Sequence, residues 1–178
     1  ATENILMAAT LAKGKTIIRN AALEPEIDDL IQVLKKMGAY INRIESNTIE
    51  IEGVKVLKGF SHVVMPDRIE AGTFAMAAVI TSGNIRLLNA EEKYLKNVLL
   101  YLNKVGAIIE YENNAINIEG PKIINSVDIK TEVYPGFPTD LQAQAMALMS
   151  VANGISIIEE SIFENRFMHI AELIRFGA

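Results

Sequence analysis

The side chains with chemistry to offer lie at three points of the sequence: Asp67-Arg68, Thr139-Asp140 and Glu164-Asn165-Arg166. A fixed carboxylate can take a proton from a hydroxyl, and a guanidinium can bind a carboxylate or phosphate through two parallel bonds. The sharpest context is Pro135-Gly-Phe-Pro-Thr-Asp140. Two prolines and a glycine stiffen the approach to a helix start, so Asp140 needs few contacts to be held. Helix N-termini also favour anions. The structural alternative is capping. Thr139 with Gln142, and Asp67 with Glu70, have the spacing of capping boxes, and a cap contributes about 0.5–2 kcal/mol. Arg68 has Glu70 or Asp67 as an internal partner, and Arg166 has Glu164 or Glu160.

Other chemistry finds little support. There is no Cys, which removes disulfides, thiolate metal sites and a cysteine nucleophile from this chain. His62 and His169 are far apart, so a zinc site would need carboxylates. His169 reads as a partly buried packing residue, and His62 as an exposed position on a strand. Glu24-Pro25-Glu26 reads as a helix start. Met7, Met76, Met146 and Met149 read as core.

The elements that must position these groups come in repeats. Gly14 and Gly38, Gly83 and Gly106, and Gly154 and Gly177 are separated by 24, 23 and 23 residues. Each pair brackets a β-rich segment and a helix, and each pair is preceded by an apolar helix. The first strands read Lys15–Asn20, Asn84–Asn89 and Ile155–Glu160. The second helices carry one apolar stripe, Ile27, Leu30, Ile31 and Leu34 in the first copy and Leu95, Val98, Leu99 and Leu102 in the second. Pro25 suits the first helical turn, and Asn89 with Glu92 and Ser161 with Glu164 have capping-box spacing. Two closing strands follow, Ala39–Ser46 with Thr48–Gly53 and Ala107–Glu112 with Ala115–Gly120, the second pair turning at Asn113-Asn114. Leading strands are expected at Phe60–Pro66 and Ser126–Val133. The unit is β-α-β-α-β-β. The first copy lacks its leading strand and the third its closing pair, which suggests a piece of a larger protein. The apolar first helices, around Ile5–Leu11, Phe74–Ile80 and Ala143–Val151, are expected at a domain centre with sheets outside. The fold class is α/β.

Half of the 178 residues are hydrophobic, enough for one or two domains with a core. The net charge of −5 and the lack of a basic cluster argue against nucleic-acid binding. No apolar run reaches about 18 residues, so no membrane span is expected. The chain opens without Met or a signal-peptide pattern, and the absence of Cys fits a reducing, cytoplasmic setting.

Ala1-Thr-Glu-Asn-Ile-Leu-Met-Ala-Ala, Pro66-Asp-Arg-Ile-Glu-Ala-Gly-Thr-Phe, Pro135-Gly-Phe-Pro-Thr-Asp-Leu-Gln-Ala-Gln and Phe163-Glu-Asn-Arg-Phe-Met-His resemble, in order, motifs of the UDP-N-acetylglucosamine 1-carboxyvinyltransferases. The resemblance implies an inside-out α/β barrel of repeated β-α-β-α-β-β units with central buried helices. Residues 1–65 would be the last unit of a first, loop-bearing domain, and 66–178 about two units of a second. The implied reaction transfers enolpyruvyl from phosphoenolpyruvate to the 3′-hydroxyl of UDP-N-acetylglucosamine with release of phosphate, through a tetrahedral intermediate. No cofactor or metal is implied. Asp140 matches the general base, and Thr139 stands beside it in the motif. Ile162 matches a backbone contact to the nucleotide sugar. Asp67, Arg68 and Arg166 match charged positions lining the cleft that organise anionic substrate groups.

The family's phosphoenolpyruvate-binding residues and its loop acid have no match in this chain. The piece alone is therefore expected to be inactive, with the rest of its own polypeptide as partner. The setting implied is the bacterial cytoplasm, at the first committed step of peptidoglycan synthesis. The alternatives are the related transferase acting on shikimate 3-phosphate, a silent nucleotide-sugar-binding paralogue, and a purely structural repeat.

Overall fold

The computed structural model describes all 178 residues, which divide into two compact units, Ala1–Met65 and Pro66–Ala178.

In the first unit the order is α1 (Thr2–Ala9), β1 (Lys15–Arg19), α2 (Pro25–Lys36), β2 (Tyr40–Glu45) and β3 (Thr48–Glu52). The sheet order is β1-β3-β2, with β3 antiparallel to both neighbours. β1 and β2 are thus joined by a helical crossover, and β3 is inserted between them. Strand alternation sends Ile18, Ile41, Ile49 and Ile51 into one core with Leu6 and Ile31 from the helices. Pro25 takes the first helical position of α2.

The second unit opens with the same plan: α3 (Arg68–Ile80), β4 (Asn84–Leu88), α4 (Glu92–Val105), β5 (Ile108–Glu112) and β6 (Ala115–Glu119), in the order β4-β6-β5. Asn114, at φ 60°, makes the β5–β6 turn. The third copy adds β7 (Ile129–Lys130), a 3₁₀ turn (Thr139–Leu141), α5 (Gln142–Met149), β8 (Ile158–Glu159) and α6 (Ile170–Arg175), with β7 parallel to β8. Leu102, Val105, Ile118, Leu141 and Leu148 share one core across both copies. Five of the six repeat glycines adopt positive φ; at the sixth, Gly83, the preceding Ser82 does so instead.

Several expectations fail, each for a local reason. Phe60–Pro66 forms no strand and pairs with no sheet. Only the stretch from Lys58 to His62 lies against α2, where the Lys58 amide donates to the Met37 carbonyl and the Lys36 ammonium to that of Ser61, and Val63 and Val64 beyond it are exposed. His62 is accordingly not exposed. Its side chain is 6% accessible, with Nε2 2.9 Å from Asp29 Oδ1 and Nδ1 2.9 Å from Lys36 Nζ. The two strands of the third copy shrink to two residues each. Asn89 caps nothing, since its φ is 57° and its Oδ1 accepts from Asn114 Nδ2. Ser161 starts no helix, because its amide and hydroxyl are both bound to Thr131. The first helices are not buried all round: Ile5 and Met7 on α1 and Phe74 on α3 are about half exposed.

Candidate functional site

The site is built where the 3₁₀ turn meets the segment after β8. Thr131, fully buried, pairs with Phe137 and closes the loop that carries Pro135, with Pro138 following directly after it. The loop delivers Thr139 and Asp140 to the start of α5, anchored below by Leu141, which is wholly inaccessible. Gly72 of α3 lies so close that a β-carbon there would fall 2.5 Å from Leu141 Cδ1.

Opposite stands Arg166. Its Nη2 donates to Asp140 Oδ1 at 2.9 Å and its Nη1 to Thr139 Oγ1 at 2.9 Å. Its Cζ lies 5.2 Å from the Phe163 ring centroid, within cation–π range. Gln142 is fully buried, and its Nε2 donates 3.1 Å to the Arg166 carbonyl, tying the backbone of this segment to α5. Neither Thr139 nor Gln142 serves the expected capping box, since both side chains reach across to the 160–166 segment. Nor does Arg166 take Glu160 or Glu164; its partners are Asp140 and Thr139.

Glu160 joins the two sides. Its Oε1 accepts from Thr131 Oγ1 at 2.8 Å, from the Ile162 amide at 2.8 Å and from the Phe163 amide at 3.1 Å. Its Oε2 accepts from Thr139 Oγ1 at 2.8 Å. Burial pushes the carboxyl upward, but the bonds from Ile162, Thr139, Thr131 and Phe163 together outweigh it and hold its pKa below the ordinary glutamate value. Glu160 is therefore a buffered, charged acceptor. In the sequence it stands out only as a possible partner of Arg166. Its neighbour Glu159, the last residue of β8, faces solvent and pairs with Lys130 at 2.8 Å.

The structure thus brings Thr139, Asp140 and Arg166 into one bonded cluster, with Ile162 attached through its amide. Asp67 is otherwise engaged: its Oδ1 accepts from the Ile69 and Glu70 amides and caps α3. Arg68 is buried, its guanidinium 5.3 Å from the ring centroid of Tyr134, in the loop that leads to Thr139. His169 Nε2 is buried without a hydrogen-bond partner. No three His, Asp or Glu side chains are grouped to hold a metal ion. No helix is long and apolar enough to cross a membrane.

Chemically, the cluster presents a half-exposed carboxylate whose second oxygen is not engaged by Arg166, beside a guanidinium fixed by a hydroxyl. Such a pair can accept a hydroxyl proton and bind an anionic or hydroxyl-rich group alongside it.

Comparison with known proteins agrees with this plan. The family model described as EPSP synthase (3-phosphoshikimate 1-carboxyvinyltransferase) matches residues 1–178. Proteins named UDP-N-acetylglucosamine 1-carboxyvinyltransferase are similar to the chain over its length. The protein from Geotalea daltonii is 54% identical over 177 residues, covering 99% of this chain. That from Endomicrobium trichonymphae is 56% identical over 178 residues, covering all of it. The chain spans only 42% and 43% of those two relatives. Among solved structures, the enolpyruvyl transferase NikO from Streptomyces tendae superposes with a TM-score of 0.85 at 21% identity, covering 97% of this chain and 42% of that one. The shared fold and a family match from the first residue to the last carry one conclusion: the chain belongs to the EPSP synthase family.

Proposed function

We propose that the polypeptide carrying this chain transfers enolpyruvyl from phosphoenolpyruvate to the 3′-hydroxyl of UDP-N-acetylglucosamine, releasing phosphate, in bacterial peptidoglycan synthesis. The observation that carries the reading is whole-chain identity near 54% to relatives bearing that activity in their names. The same relatives favour the nucleotide sugar over shikimate 3-phosphate as the acceptor.

In this reading Asp140 is the base. As the sugar oxygen bonds to C2 of phosphoenolpyruvate, its proton passes to the Asp140 carboxylate while C3 gains a proton from an acid outside this chain. The tetrahedral intermediate then loses phosphate from C2 and a proton from C3. Arg166 fixes the Asp140 carboxylate and offers charge to substrate anions. Thr139 and Ile162 border the sugar, and Asp67 and Arg68 flank the cleft. Residues 1–65 form the last unit of a first domain and 66–178 about two units of a second, so the cleft needs the remainder of the polypeptide. The setting is the cytoplasm.

The test is phosphate release by the full-length polypeptide, which should require both substrates together. Asp140→Asn should lower kcat by roughly 10²–10⁴-fold with the fold retained. Unchanged turnover in Asp140→Asn removes the base assignment, and no release by the wild type removes the reading.

A further inference from the structure

Glu160 offers four bonds' worth of acceptor to this site and touches neither Asp140 nor the Arg166 guanidinium. Its leverage is indirect and runs along two routes. The Thr139 hydroxyl has one proton, and that proton is committed to Glu160 Oε2. Thr139 Oγ1 can therefore meet Arg166 Nη1 only with a lone pair, which is the polarity a guanidinium needs. On the other route, Glu160 Oε1 holds the Phe163 amide, and the Phe163 ring flanks Arg166 at 5.2 Å. Both routes end on the guanidinium that grips Asp140.

We propose that Glu160 is the positioning residue of the site: it sets the direction of the Thr139 hydroxyl and the placement of Phe163, and through them the pose in which Arg166 holds Asp140. This rests on the enolpyruvyl-transfer reading for its kinetic consequence, but the geometry it asserts stands apart from that reading. A carboxylate is required because only a group without donors can accept all four bonds. A glutamine must turn an N–H toward at least one partner.

The experiment uses the full-length polypeptide with phosphoenolpyruvate and UDP-N-acetylglucosamine. Glu160→Gln should lower kcat by about 10- to 100-fold, the range expected for a catalytic group displaced by about 1 Å, with KM for the sugar nucleotide within about threefold. Thr139→Val should also lower kcat, and Thr139→Ser, which keeps the hydroxyl, should stay within about threefold of wild type. Because the two residues share one relay, Glu160→Gln with Thr139→Val should be no slower than about twofold below Glu160→Gln alone. Unchanged kcat in Glu160→Gln, or single effects that multiply in the double variant, overturns the proposal. If Glu160→Gln fails to fold, the Thr139→Val and Thr139→Ser pair decides: equal rates overturn it. If wild type releases no phosphate, the functional reading has failed instead. Crystal structures of the Thr139 variants then decide: the Arg166–Asp140 ion pair should be broken in Thr139→Val and intact in Thr139→Ser. An intact pair in both overturns the proposal.

Discussion

Glu160 has a cost and a return at the scale of a single residue. Burial disfavours its charge, and its four donors more than restore it, so the folded carboxyl titrates below the usual value of 4.5. A group whose pKa falls on folding adds stability above its unfolded pKa and loses it as pH drops toward the folded one. Wild type should therefore lose stability more steeply than Glu160→Gln across the acid window below about pH 4.5, in denaturant melts of the second unit's signal. A gap between the two proteins that stays constant across that window contradicts this. Asp140 stood out in the sequence because a stiff loop leads to it, whereas Arg166 stood out only through the motif resemblance, with Glu164 or Glu160 rather than Asp140 as the partner expected. Glu160 was visible only as a possible partner of Arg166. Its donors come from Thr131, Thr139 and the amides of Ile162 and Phe163, and no local pattern announces a meeting of that kind.

At the scale of elements, the repeat was legible where strand alternation and helical stripes are local, as in both β-α-β-β stretches. It blurred in the third copy, where an alternating stretch needs an edge to join and finds only two residues of one. A close approach that the sequence did not announce recurs at the end of each middle strand. A β-carbon on Gly53 would fall 1.6 Å from the Ala12 carbonyl oxygen, and one on Gly120 2.6 Å from that of Ala78. The neighbours are backbone and cannot swing aside, so glycine is needed here for room rather than for an unusual dihedral. Gly120→Ala should destabilise by about 1–3 kcal/mol, measured by urea denaturation. A change below about 0.5 kcal/mol would show that the turn after α3 yields freely.

At the scale of the molecule, two cores imply two addresses for damage. Ile51 is fully buried in the core of Ala1–Met65 and contributes nothing to the cluster around Leu102 and Ile118. Ile51→Ala should cost about 2–5 kcal/mol and speed amide exchange in β1 and β3. Exchange in β4 and β6 should stay as it was, and equal acceleration in both would mean that the units open as one. The insertion of the third strand between the first two also has a consequence for the chain as it is made. A ribosome releases Lys15–Arg19 well before Thr48–Glu52, the only strand against which it pairs. For that interval β1 is an edge with no sheet, open to any other extended chain. Its sequence, Lys-Thr-Ile-Ile-Arg, sets a positive charge at each end of the apolar pair, and β4 carries Arg86 at its centre. Charges so placed discourage association between nascent chains while each early strand waits for its own partner.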